Sequence, residues 1–244
     1  MKIGVIGSGA IGAVLVRKLS AAGYAVLVSN SRGPETLQNL AEETGATAVT
    51  AADAVKGVET IITSIPFGKM PELKRIFAGV AADVVVIDTS NYYPQRDGHI
   101  SAVDDGEVES VWVQEQIDHP IVKAWNSVLA ASLETKGLPK GAKGRIALSV
   151  AGDDSHAKKI ALELVETTGF DAIDGGTLEQ SWRQQPGTPG YCVDLGADEL
   201  RHALTIADRK KATRNRDLFI ERLLALGGKA TGADQLRLYR ELNR

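Results

Sequence analysis

The chain has 244 residues, enough for one large α/β domain with a small appendage, and a chain of this size buries about 70–75% of its unfolded surface without staples. A formal charge of −3 argues against a nucleic-acid or membrane-surface partner, and the single cysteine, Cys192, excludes an internal disulfide and a cysteine-based metal site. The four histidines, at 99, 119, 156 and 202, lack metal-ligand spacing, no apolar run reaches the roughly 18 residues of a membrane span, and the first residues read as a strand instead of a signal peptide, so a cytoplasmic protein without a metal is expected.

In chain order, the apolar run Ile3 to Ile6 leads into Gly7-Ser8-Gly9-Ala10-Ile11-Gly12. A helical pattern follows from about Ala10 to Ala22, with Ile11, Val14, Leu15 and Leu19 on one face, and Gly23 ends it before a second apolar run, Ala25 to Ser29. This order is the dinucleotide fingerprint: Gly7 for the tight exit from the strand, Gly9 for close approach of a pyrophosphate, Gly12 for helix–strand packing. The helix N-terminus adds unpaired N–H groups and the positive end of its dipole. The second strand ends in Ser29-Asn30-Ser31-Arg32, where NAD-selective proteins place an acid that would repel a 2′-phosphate. Asn30 and Ser31 can donate hydrogen bonds and Arg32 can make a charge-assisted contact, so NADP is the expected cofactor.

Beyond this unit, helices are predicted at Pro34 to Glu43, Ala52 to Val55 and Met70 to Ala78, and strands at Thr47 to Thr50, Glu59 to Pro66 and Val84 to Asp88. The strand ending at Ser64-Ile65-Pro66 should lie beside the nicotinamide half of the cofactor, and Asp88 to Pro94, including Asn91, forms a polar cluster at the edge where ligands bind. Residues Gln95 to Glu109 are acidic, contain glycines and show little periodicity, which suggests a surface excursion. A strand over His119 to Ser127 carries Asn126 at its end, followed by a helix near Leu129 to Thr135 and a linker from Gly137 to Gly144. Then come a strand Ile146 to Gly152, a helix Ser155 to Thr168 capped by Asp153 or Asp154, and a last strand Phe170 to Asp174. The alternation predicts a Rossmann-type doubly wound, mostly parallel sheet over 1–176, with a C-terminal loop and helical extension over 177–244. In the extension, Leu178 to Gln185 begins a helix that Pro186-Gly187-Thr188-Pro189-Gly190 breaks, and Asp198 to Leu226 reads as one or two charged helices. Their basic run, Arg209 to Arg216, is either a solvated helix face or a docking site for an acidic acceptor. The stiff stretch Gln184 to Tyr191 is expected to pack near Pro66 and Asn126, with Tyr191 as a flat wall for a planar ring.

Taken together, Gly7 to Gly12, Asn30-Ser31-Arg32, Ser64-Ile65-Pro66, Val122 to Asn126 and Ala151 to Asp154 resemble the deazaflavin-dependent NADP oxidoreductase family, and the nucleotide-binding domain of STEAP-type metalloreductases is similar too. The resemblance covers residues 1 to 183. It implies pyrophosphate contacts from Ser8 to Ile11, 2′-phosphate contacts from Ser31 and Arg32, nicotinamide contacts from Ser64, Ile65, Pro66 and Phe67, hydride transfer to a deazaflavin or flavin as acceptor, and a homodimer. The insertion from about Gln95 to Gln116 and the tail after Trp182 depart from the archaeal-type members.

Transfer between stacked rings needs alignment more than an acid or base, which suits a sequence with no evident catalytic dyad. A reductase of a small carbonyl or imine would need a proton donor, for which His119, Lys123 and Tyr191 are the candidates. A non-enzymatic NADPH-binding sensor is the reading from a different class. The catalytic residues are not assigned from sequence.

Overall fold

The computed structural model describes residues 1–227 and 230–243. Eight strands form one sheet: β1 (Lys2–Ile6), β2 (Ala25–Ser29), β3 (Thr47–Ala48), β4 (Thr60–Thr63), β5 (Val85–Asp88), β6 (Val122–Lys123), β7 (Ala147–Gly152) and β8 (Asp171–Asp174), in the order β3-β2-β1-β4-β5-β6-β7-β8. The first five in space after β3 pair in parallel, with Ile6 beside both Ser29 and Thr63, so these strands end together along one edge. β6 and β7 pair antiparallel, Lys123 opposite Ala151, the one reversal in a mostly parallel sheet. β8 follows β7 in parallel.

Both faces are covered, as central strands without polar alternation require. On one face lie α1 (Ala10–Ala21), α2 (Gln38–Thr44), α8 (Ala130–Thr135) and α9 (Ser155–Thr167), whose Val14, Leu15, Leu19, Leu164 and Val165 share a core with Ile3, Val5 and Ile87. On the other lie α3 (Ala51–Ala54), α4 (Lys74–Phe77) and α7 (Glu109–Ile117), burying Phe67, Phe77, Trp112, Val113 and Ile117 against Ile61 and Val86. Asp154 caps α9 by accepting the Ala157 N–H at 2.7 Å, which resolves the choice between Asp153 and Asp154; the Asp153 carboxylate instead accepts the Leu178 N–H at 2.9 Å.

Two expectations are corrected and a third is extended. The excursion at 95–109 contains two short helices, α5 (Pro94–Asp97) and α6 (Ser101–Asp104), and leads into α7, whose buried residues at 112, 113 and 117 have helical spacing hidden among acidic neighbours. The strand predicted over 119–127 shrinks to Val122–Lys123, because Trp125 turns into the left-handed region at φ 55° and leaves the ladder. The charged helices expected over 198–226 are two, α10 (Ala197–Thr205) and α11 (Arg209–Ala225), and a further helix, α12 (Gly232–Leu242), follows them among the described residues. α10 packs on the β7–β8 end of the sheet, whereas Phe219 of α11 and Tyr239 of α12 stack at 3.7 Å in a separate small core with Tyr191, Cys192 and Val193.

Candidate functional site

The glycines of the first turn divide their work as the geometry requires. Gly7 sits at φ 110°, and a Cβ there would lie 2.1 Å from the Ser64 carbonyl oxygen. A Cβ on Gly12 would lie 2.0 Å from the Gly7 oxygen, so both positions are closed to any side chain. Gly9 differs: a Cβ there meets nothing within 4 Å. Gly9 is also the N-cap of α1, with no side-chain cap bond and no acid in the first turn. Open space above uncapped helix N–H groups, with Ser8, Ala10 and Ile11 around it, fits a pyrophosphate.

At the end of β2, Asn30 turns inward. Its amide nitrogen donates to Ser8 Oγ at 3.3 Å and Thr36 Oγ1 at 2.9 Å, and its oxygen accepts the Arg32 N–H at 2.9 Å. Both amide hydrogens are thus spent inside the protein, and Asn30 shapes the turn instead of donating outward. That turn projects Ser31 and Arg32 into solvent.

The residues expected at the nicotinamide side lie at the ends of β4, β5 and β6. Ser64 and Ile65 are half-buried and Pro66 is exposed, whereas Phe67 is fully buried with its ring stacked on Trp112 at 4.7 Å. Phe67 therefore supports this edge from below, and its ring is not offered to a ligand. Beside them three amides interlock. Asn126 donates to Asn91 Oδ1 at 3.0 Å and to the Gln184 carbonyl at 2.8 Å, and accepts from Gln184 Nε2 at 2.8 Å. Asn91 donates to the Asn126 carbonyl at 2.9 Å. The second amide hydrogen of the half-buried Asn91 remains for a ligand. Gln184 escaped the sequence reading as a site residue; it arrives on the 3₁₀ turn Leu178–Gln184, which runs back along the sheet after β8.

The candidate proton donors are placed elsewhere. Lys123 and Asp88 form a fully buried ion pair, Lys123 also donating to the Ser90 carbonyl at 2.8 Å while Asp88 accepts from Thr63 Oγ1 at 3.1 Å and Ser90 Oγ at 2.9 Å. His119 precedes β6 at the opposite edge of the sheet, its ring nitrogens facing the carbonyls of Pro120 and Ala81. The Tyr191 hydroxyl lies 2.9 Å from that of Tyr93, which lies 3.0 Å from that of Tyr239. Burial pushes all three phenols, and the neighbouring Cys192 thiol, up from their ordinary values. Gln184, the first residue of the expected stretch, does reach Asn126, but Tyr191 packs edge-on against Tyr239 in the core of the extension, so the expected flat wall is instead a clamp on α12.

The basic run occupies the first half of α11 and splits in two. Lys210, Lys211 and Arg214 form a solvated face, while Arg209 lies over the Trp182 ring at 5.0 Å and Arg216 over the Tyr92 ring at 5.4 Å. A cavity of about 660 Å³ lined by Val55, Lys56, Arg75 and Asp83 lies at the edge where β4 and β5 begin, away from the converging strand ends. No helix among the described residues is long and apolar enough to cross a membrane, and among those residues no cluster of potential metal ligands occurs.

Comparison with known proteins agrees with this geometry. The family profile NADP oxidoreductase coenzyme F420-dependent matches residues 2–92. The Escherichia coli (strain K12) protein YjhV is 44% identical over 72 residues, 30% of this chain, and the chain spans about half (53%) of that relative's length. The crystal structure of the hypothetical protein SMa0349 from Sinorhizobium meliloti is 29% identical with a TM-score of 0.69, covering 81% of this chain and 96% of that one. A structure from Arthrobacter sp. FB24 named as an F420 dependent NADP-reductase superposes with a TM-score of 0.63 at 19% identity, covering 93% and 95% of the two chains. The imine reductase from Pseudomonas sp. superposes with a TM-score of 0.51 at 18% identity, covering 97% of this chain and 70% of that one. The chain thus has a Rossmann fold whose first 92 residues match the F420-dependent profile, and a specific likeness to STEAP-type enzymes is not carried by these matches.

Proposed function

We propose that the chain is an NADPH-dependent reductase of a small substrate with a C=N or C=O bond, and that a protonated imine is the acceptor that suits it best. The observation that carries this reading is the placement of the acids: Lys123 is sealed against Asp88, His119 is at the far edge, the Tyr191 hydroxyl is held by Tyr93, and neutral amides stand at the strand ends. When bound, the dinucleotide supplies hydride from its nicotinamide ring. A carbonyl oxygen needs a proton as hydride arrives, whereas an iminium already carries its own. The half-buried Asn91, held in place by the buried Asn126 and Gln184, offers such a cation the remaining lone pair of its amide oxygen without a repelling charge.

In this reading residues 1–176 hold the cofactor. Gly7, Ser8, Gly9, Ala10, Ile11 and Gly12 surround the pyrophosphate, Ser31 and Arg32 bind the 2′-phosphate on the turn that Asn30 shapes, and Ser64, Ile65, Pro66, Asn91 and Asn126 line the nicotinamide end. Residues 177–244 close the acceptor side through Gln184. The fold shared with the Pseudomonas imine reductase supports the reading. A flavin-like acceptor is the second reading, favoured by the F420-dependent family profile over residues 2–92.

The test is NADPH oxidation with cyclic imines, aldehydes, ketones and a deazaflavin. Turnover of imines should exceed that of matched carbonyls by about 10²-fold or more, the low end of what a general acid contributes. Turnover with the deazaflavin alone would establish the second reading, and tight NADPH binding without any turnover would leave a sensor.

A further inference from the structure

Glu109 is the first residue of α7 and is 4% exposed, an unusual place for a carboxylate. Its Oε2 accepts the Tyr92 N–H at 3.1 Å, and its carboxyl also interacts with the Gln185 side chain. Tyr92 directly follows Asn91, and Gln185 directly follows Gln184. One buried carboxyl thus grips, from behind, the neighbours of two of the three amides that meet at the strand ends. Deepening the reductase reading, we propose that Glu109 is a positioning residue whose ionisation fixes Asn91 and Gln184 in place.

The chemistry follows from the acceptor count. An ionised carboxylate accepts several N–H bonds, and these are charge-assisted; a protonated one loses an acceptor and holds its partners less firmly. The charged groups facing Glu109 come from several elements: Lys123 of β6, Arg216 of α11 and the Tyr93 phenol after β5. Lys123, paired with Asp88, and Arg216, paired with Asp217, both favour the charged carboxylate, Lys123 the more strongly. Burial dominates over these cations and the hydrogen bonds, and pushes the carboxyl up to about 7. A cavity of about 100 Å³, lined by Glu109, Glu107, Trp182, Gln185, Arg209 and Arg216, adjoins the carboxyl and gives water room to exchange its proton. Above that pH the grip is firm, and below it the amides loosen.

The side-chain amide resonances of Asn91 and Asn126, followed by NMR in the full-length protein from pH 5.5 to 8.5, test this without any turnover. They should titrate together with a midpoint near 7 in the wild type and stay flat in Glu109→Gln, which keeps the shape and an acceptor for Tyr92 but cannot ionise. Arg216→Gln, which removes one of the two cations that favour the carboxylate, should move the midpoint upward. Resonances that do not titrate, that titrate equally in Glu109→Gln, or whose midpoint stays or falls in Arg216→Gln would overturn the proposal. Failure to reduce any imine or carbonyl would overturn the functional reading and leave this result standing on its own. In an active enzyme, kcat/KM should rise with pH through the same midpoint and become level in Glu109→Gln, with NADPH affinity unchanged.

Discussion

Replacing Lys123 by methionine should lower the midpoint of thermal unfolding by roughly 6–20 °C. Lys123 and Asp88 are both 0% exposed, and removing the ammonium strands the carboxylate in the core with only Thr63 and Ser90 to satisfy it. Breaking a buried pair from one side costs about 3–5 kcal/mol, and in a chain of this size each kcal/mol is worth roughly 2–4 °C. The cost comes from the stranded charge more than from the lost attraction. Adding Asp88→Asn to Lys123→Met should therefore recover part of the loss, because the amide is neutral and keeps an acceptor for Thr63 and Ser90. Calorimetry of both variants checks this; a double variant less stable than Lys123→Met would mean that the pair is held for its geometry alone. The same pair fixes the Ser90 carbonyl one residue before Asn91, so the variant should also lose order at the strand ends.

Changing Arg32 to alanine should weaken NADPH binding by roughly 10- to 150-fold and leave NADH almost unaffected. Arg32 is exposed, placed by its own N–H bond to Asn30, and no carboxylate partner engages its guanidinium among the described residues. A hydrogen bond to a charged group contributes about 1.5–3 kcal/mol, which sets the range. Because the contact is at the surface, the NADPH preference should shrink as ionic strength rises. Titrations with both cofactors check it, and equal losses for the two would mean that Arg32 acts by shaping the turn.

The first βαβ unit was legible because its signals are local. Gly7, Gly9 and Gly12 stand within one turn, and the apolar periods of β1, α1 and β2 flank them without interruption. Asn30 shows the limit of such reading: its residue type suited a phosphate, but contacts with Ser8 and Thr36 consume its hydrogens. The acceptor side depends on pairs far apart in the chain, which no pattern announces. Gln184 meets Asn126 across 58 residues, Lys123 meets Asp88 across 35, and Glu109 meets Tyr92 across 17. α7 was legible in principle, since Trp112, Val113 and Ile117 have helical spacing, but glycines and acids upstream masked it. The expectation of Tyr191 as a wall for a planar ring fails because the fold of α11 and α12, which no local pattern announces, decides which surface it faces.

The central claim is hydride transfer at the amide-lined edge to an acceptor that brings its own proton. Its most direct test is a single-turnover reaction of the protein with NADPH deuterated at the transferring position and a cyclic imine, in ordinary water, with the product examined by mass spectrometry and NMR. One deuterium is expected on the former C=N carbon, with a proton on nitrogen and a rate that Asn126→Ala lowers while cofactor affinity holds. Cofactor oxidised with no deuterium in the amine, or no amine formed while a carbonyl of the same skeleton is reduced, would contradict it.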